Sequence, residues 1–255
     1  MFNPIETTQF LGKTIWYLPT CTSTNDMAKH HAENHDLLEG TIIITSHQTA
    51  GRGQRGNTWQ TEPHKNLTFS LLLNPSFLQI HEQFLLNIAI TLGITDALMT
   101  MLPTVKIKWS NDIYNNNKKL GGILIENILQ QRSIKQSIVG IGLNINQLEF
   151  DLPTATSLAT ETQKAWDLGE LLALIIKHIE KRYLQLRQQN PATHQQLKEI
   201  YLQRLYGYQE NRKFMKNGEI FEGRIIGVSP EGYLGIESKQ QTQFFDIKEV
   251  SFVQS

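Results

Sequence analysis

Short β-branched and aliphatic runs alternate along this chain with longer stretches of helical spacing. Thr41–Thr45 (TIIIT) follows Gly40 and predicts a buried strand, and Asn66–Leu73 (NLTFSLLL) predicts a second, ended by Asn74-Pro75. From His81 to Met101, Phe84, Ile88, Leu92 and Thr95 fall on one helical face, with Leu85 beside them, until Pro103 stops the helix. Val105–Trp109 alternates like a strand. KLGGILIEN, starting at Lys119, and Ser137–Asn146 read as two more. Helices are predicted from Leu168 to about Leu186 and from Thr193 to Tyr206, with Asn190-Pro191 between them.

The pattern changes after Gly207. Asn217-Gly218 is a strong hairpin signal, and EIFEGRIIGV, GYLGIES and TQFFDIKEVSF read as short strands of a small β-barrel. The expected division is 1–208 for a mixed-sheet α+β domain and 209–255 for the barrel. At 255 residues the chain can bury a substantial core.

Composition narrows the possible functions. Lys+Arg 24 against Asp+Glu 24 gives no net charge, which argues against a general electrostatic hold on DNA or an anionic membrane. The single cysteine, Cys21, cannot form an internal disulfide, and the chain opens without a basic and apolar leader. A cytoplasmic protein is expected.

The candidate chemistry starts at Thr49–Trp59, TAGRGQRGNTW. Its glycines match G-x-G-x-x-G, with two arginines set between them. A dinucleotide fold would open a helix there. Trp59, Pro63 and a strand pattern follow instead, and the kinase signatures HRD and DFG and the P-loop ending G-K-[ST] are absent. Taken alone, the loop is either an anion cradle or an exposed basic turn. Ser23, Thr24 and Asn25 read as a helix cap or as ligand hydrogen-bonders. The glycine pair after Lys119 and the alternate Gly140 and Gly142 fit either a flat ligand or close packing.

Taken together, the segments resemble biotin–protein ligases. The matching pieces are S-T-N at 23–25, G-R-G-x-R-G-x-x-W at 51–59, K-W-x-N-D at 108–112, K-L-G-G-I-L at 119–124 and G-x-G-x-N at 140–144, with ATSL at 155–158 and the small terminal β-domain. The resemblance implies a class II synthetase-like mixed-sheet catalytic domain followed by an SH3-like β-barrel. The implied reaction activates biotin with ATP and Mg2+ to biotinyl-5′-AMP. Biotin then passes to a lysine of a biotin carboxyl carrier protein. Too few residues precede the S-T-N motif for the winged-helix domain of repressor members, so a short type that binds no DNA and no membrane is expected, as a monomer or weak homodimer.

The resemblance also assigns residues. Catalytic roles fall to Lys119, Arg52, Lys108 and Asp112. Ser23, Thr24, Asn25 and Gln48 would hold the ureido ring of biotin. Gly51, Arg52, Gly53, Gln54, Lys119, Gly122, Gly140 and Gly142 would complete its site. Arg52, Arg55, Trp59, Lys108, Asn111, Lys119 and Asn144 would hold ATP or the adenylate, with Trp59 offering a face to adenine. Asp112 would orient Lys108 or engage magnesium through water. Three positions depart from the family pattern: Gln54 and Asn57 stand where arginine is common, and Ser110 stands in place of a frequent proline, an exchange expected to leave the chemistry untouched. The rival readings are a lipoate–protein ligase and a non-catalytic biotin- or nucleotide-binding module.

Overall fold

The computed structural model describes residues 2–34, 37–239 and 241–253, without the side chains of Asn34 and Arg55. Twelve strands form two sheets. The larger contains β1 (Ile15–Cys21), β2 (Ile42–Gln48), β3 (Leu67–Leu73), β4 (Val105–Lys108), β5 (Asp112–Asn115), β6 (Lys118–Gln130) and β7 (Ser133–Leu143). They lie in the order β1-β2-β3-β7-β6-β5-β4, with β1 parallel to β2 and every other pair antiparallel.

Strand alternation gives this sheet two different faces. Ile42, Ile44, Phe69, Leu71, Val139 and Ile141 point into the main core. There they meet α2 (Phe84–Leu98), α4 (Leu168–Arg187) and α5 (Pro191–Arg204). The opposite face carries Thr68, Ser70, Gly140 and Gly142, and at one end Ile43, Leu72 and Ile138 pack under Ala28 of α1 (Thr24–Asn34). A short α3 (Leu158–Thr162) precedes α4.

Two expectations are corrected here. The helix read as His81–Met101 runs only from Phe84 to Leu98, because a separate 3-10 turn at Ile80–Glu82 is closed by the Gln79–Glu82 capping box. Nor is it amphipathic: thirteen of its residues are buried, since it lies between the sheet and the other two helices. Three helices converge on Asp96, whose carboxylate takes Arg182 of α4 at 2.6 Å and Arg204 of α5 at 2.7 Å. Burial acts to raise its pKa, but the two guanidinium groups outweigh that and hold it below the usual carboxylate value.

The second sheet contains β8 (Asn211–Lys216), β9 (Glu219–Val228), β10 (Leu234–Ser238), β11 (Gln241–Phe245) and β12 (Ser251–Phe252), in the antiparallel order β11-β10-β9-β8-β12. Asn217 and Gly218 turn β8 into β9, both at positive φ (50° and 84°), as the hairpin signal requires. The segment read as one strand from Thr242 to Phe252 is two, separated by a turn at 246–250. Phe214, Phe221, Phe245 and Phe252 fill the interior of this sheet. Trp109 Nε1 donates to Gly232 O at 2.9 Å and Tyr206 packs on Phe252, which fixes the second sheet beside the turn after β4.

Gly93 sits where α2 crosses α4: a Cβ there would stand 2.5 Å from Ile179 Cα. Glycine inside a helix costs about 1 kcal/mol relative to alanine, so propensity alone favours Gly93→Ala. Overpacking a backbone contact outweighs this, and Gly93→Ala is expected to destabilise by about 1–3 kcal/mol in urea unfolding. An unchanged or raised midpoint would show that the crossing is loose.

Candidate active site

The glycine-paved face of the larger sheet floors a cavity of about 210 Å³. Its far end is built by the start of α1. Ser23 Oγ accepts from Asp26 N at 3.4 Å, a weak N-cap, so the cap reading of this motif holds. Thr24 and Asn25 also face the cavity. Thr24 N and Oγ1 donate to Gln48 Oε1 at 2.7 and 3.1 Å, and Ser70 Oγ donates to Asn25 Oδ1 at 2.6 Å. Asn25 is thereby set over Gly140, where a Cβ would fall 2.4 Å from its Oδ1.

The glycine loop forms the lid. Gly53 N donates to Asn57 O (2.7 Å) and Trp59 N to Gly51 O (2.9 Å), around a 3-10 turn at Gln54–Gly56, so no α-helix opens after the glycines. Gly51 lies within the loop's neck and does not line the cavity; a Cβ there would meet Trp59 O at 2.3 Å. Trp59 is laid directly on Gly142, whose Cβ would fall 2.3 Å from the indole. Among the described residues, its Nε1 is buried without a partner, as is Thr68 Oγ1 on the strand opposite Gly142.

Lys119 closes the other end. Lys119, at the start of β6, is anchored by its N–H to Thr154 O (2.7 Å) and by its carbonyl to Thr156 N (2.9 Å). Its ammonium pairs with Asp112 at 2.7 Å, lies beside Gly122, and stands 5.9 Å from the Trp59 ring. Arg52 reaches the same cavity from the loop. One pocket thus gathers Arg52, Lys119, Asp112, Asn111, Ser23, Thr24, Asn25, Gln48, Gly53, Gln54, Trp59, Gly122, Gly140 and Gly142.

Some expected residues lie elsewhere. Lys108 does not line the cavity. Its ammonium lies 3.2 Å from Tyr114 Oη and 4.5 Å from that ring, in a separate cleft with Tyr206 and Phe252. Burial pushes its pKa down; Asp112 opposes this and Lys119 adds to it. Asn144 is also off the cavity: its Nδ2 donates to Thr156 O (3.0 Å), bracing the ATSL segment behind Lys119. Arg55's side chain lies outside the described residues.

Asn57, one of the departures from the family pattern, also lines the cavity, as do Thr58, Thr68, Ile247 and Lys248, which carried no sequence signal. Ser110, expected to leave the chemistry untouched, lines the cavity, and its Oγ lies 3.0 Å from Asn111 Oδ1 and 3.3 Å from Gln54 Oε1. Two positions that depart from the family pattern therefore touch each other.

A family model for the biotin/lipoate A/B protein ligase family matches residues 17–144. The chain belongs to that family. It is 31% identical over 241 residues to the bifunctional ligase/repressor BirA of Bacillus subtilis, spanning 91% of this chain and 72% of that protein. Its identity to the biotin–[acetyl-CoA-carboxylase] ligase of Mycobacterium tuberculosis is 29% over 175 residues, 66% of this chain and 64% of that one. Among solved structures, the biotin protein ligase of Aquifex aeolicus in complex with biotin and ATP superposes with a TM-score of 0.78 at 27% identity, covering 95% of this chain and 100% of that one. The mixed sheet followed by a small antiparallel sheet is the ligase architecture, with the second sheet as its SH3-like part.

In this ligase, Gly142→Ala is expected to keep the far-UV circular dichroism of the fold and to expel Trp59 from the glycine strip. The tryptophan emission maximum then moves to longer wavelength. An unaltered emission spectrum would mean that the indole does not rest there.

Proposed function

We propose that the protein is a biotin–protein ligase. On this reading it activates biotin with ATP to biotinyl-5′-AMP, releasing pyrophosphate, and transfers biotin to a lysine of a biotin carboxyl carrier protein. The observation that carries this reading is the convergence of Arg52 and Lys119 on one cavity floored by Gly122, Gly140 and Gly142. Residues 1–208 serve as the catalytic domain and 209–255 as the SH3-like domain.

The chemistry brings a carboxylate against the α-phosphate of ATP. Their repulsion at ~4 Å is about 1 kcal/mol in water and about 4 kcal/mol at an effective dielectric of ~20. Lys119 and Arg52 offset this repulsion from two sides, while the Gly53 N–H is spent on Asn57 O within the loop. The polar end at Thr24, Asn25 and Gln48 suits a ureido ring, which has one acceptor and two donors. A dithiolane lacks these groups, so the same end selects against lipoate. The glycines leave space on the strands for a bicyclic ring and its acyl chain, and Trp59 is the side chain a ligand on that strip must stack on or displace. Asn111 lines the cavity with its Nδ2 donating to Ile123 O and its Oδ1 accepting from Ser110 Oγ, so a contact to the nucleotide would exchange one of these bonds.

Magnesium fits as the counter-ion of ATP. Among the described residues, no group of three His, Cys, Asp or Glu side chains could hold a metal, and Asp112 is the one carboxylate lining the cavity. Mg2+ is commonly held by one or two carboxylates together with substrate phosphates, so Asp112 would hold it, and its charge would neutralise the departing pyrophosphate. Among the described residues, no helix is long and apolar enough to cross a membrane.

Pyrophosphate release from ATP, measured with biotin or lipoate and followed by carrier labelling, tests the reading. Biotin-dependent release with labelling is expected; tight binding without release would indicate a binding module. Lys119→Ala is expected to keep the fold while adenylate formation falls about 10²-fold or more. Near-normal activity would remove Lys119 from this role. Gln54→Arg restores a cation to the loop and is expected to slow adenylate release; an unchanged release rate would refute a role for position 54 in retention.

A further inference from the structure

Arg52 and Asn25 come from different motifs, one in the lid and one at the ureido end, yet they meet on one carboxylate that neither motif contains. Glu126 follows Leu124 by two positions on β6, so both lie on the cavity side of the sheet. Its Oε2 accepts from Asn25 Nδ2 at 2.7 Å and lies 3.1 Å from Arg52 Nη2, while its Oε1 lies 3.3 Å from the same nitrogen. Asp26, next to Asn25 on α1, takes that nitrogen from the other side at 2.5 Å.

We infer that Glu126 is a positioning residue that couples the biotin end of the cavity to the glycine loop, with Asp26 as the second arm of the same cradle. This inference rests on the ligase reading. Three features support it. Asn25 is buried and its amide orientation is set by Ser70 and by the carbonyl of Leu124, so its Nδ2 points to Glu126 for geometric reasons independent of Arg52. Among the described residues, the side-chain hydrogen bonds of Arg52 run through Nη2, which leaves Nε and Nη1 for an anion in the cavity that Arg52 lines. The ion pairs are half-exposed, with side-chain accessibilities of 44% for Arg52, 48% for Asp26 and 35% for Glu126, and exposed pairs add little to stability. Their consequence is therefore where the guanidinium points, and how easily the lid lets it go.

The two arms of Glu126 can be separated. Glu126→Gln keeps a neutral acceptor for Asn25 and removes the charge that holds Arg52; Glu126→Ala removes both. Asp26→Asn loosens Arg52 from a different element. In ligand-free protein, trypsin cleavage after Arg52, measured by mass spectrometry relative to cleavage after Arg55, is expected to rise about fivefold in Glu126→Gln and Asp26→Asn. In biotin-dependent pyrophosphate release, Glu126→Gln lowers kcat about fivefold with the KM for biotin unchanged, whereas Glu126→Ala raises that KM as well.

An unchanged cleavage ratio in both charge variants would overturn the inference. So would losses of activity that merely follow the folded fraction, with no split between kcat and KM. Should the wild-type protein release no pyrophosphate with biotin, the ligase reading fails; the cleavage ratio still decides whether the cradle holds Arg52.

Discussion

A cation placed to receive an anion in a half-open cavity must be held somewhere before the anion arrives. In this protein each such cation has a carboxylate of its own: Lys119 pairs with Asp112, and Arg52 lies between Asp26 and Glu126. The cavity therefore stands close to electrical neutrality when free, although on the proposed reading it receives two negatively charged reactants. Binding becomes an exchange of partners rather than the filling of a bare positive site. An exposed ion pair contributes at most about 1 kcal/mol, so the exchange costs little, while the carboxylates still fix where each cation waits. The zero net charge of the whole chain repeats the same balance at larger scale.

The exchange depends on a sheet whose two faces do opposite work. On one, aliphatic side chains from β2, β3 and β7 pack against three helices and supply the core. On the other, the same strands present Thr68, Ser70, Gly140 and Gly142, giving up side-chain burial to keep a floor on which Asn25 and Trp59 can lie. A strand with a two-residue period can meet both demands only if register is held, and Gly122 and Gly142 face each other directly across β6 and β7. A slip of one residue would turn the glycines into the core and isoleucines into the cavity.

Much of this was legible in the residues, and the failures have definite causes. Buried strands such as β2 and β3 show as apolar runs because both faces near the core are covered. The strand β1 was not anticipated: it is an edge strand containing Pro19 with several exposed positions, so it lacks the density of its neighbours. The α2 helix was read as amphipathic because its most regular apolar row stands out, yet tertiary packing covers every face. Arg52, Lys119 and the S-T-N side chains were legible because their motifs place them at fixed distances from glycines. Lys108 and Asn144 belong to two further motifs of the same set but point into an aromatic cleft and a bracing hydrogen bond. Motif membership fixed their backbone position and left side-chain direction to the local packing. Glu126 and Thr68 carry no spacing signal, and only the pairing of strands brings them to the cavity or its rim.

The remaining wall comes from the far end of the chain. Ile247 and Lys248 line the cavity from the turn that interrupts the second sheet between β11 and β12. That sheet is held by Trp109, whose indole N–H donates to Gly232 O, and the Oγ of the next residue, Ser110, lies 3.3 Å from Gln54 Oε1 in the lid. The turn after β4 is thus a junction: on one side it anchors the second sheet, on the other it touches the glycine loop, and Asn111 and Asp112 of the same turn face the cavity. A displacement of the small sheet must act on this turn, and through it on the residue that pairs with Lys119. The C-terminal strands are therefore part of the geometry around Lys119, even though the motifs that first pointed to the site all lie upstream of them.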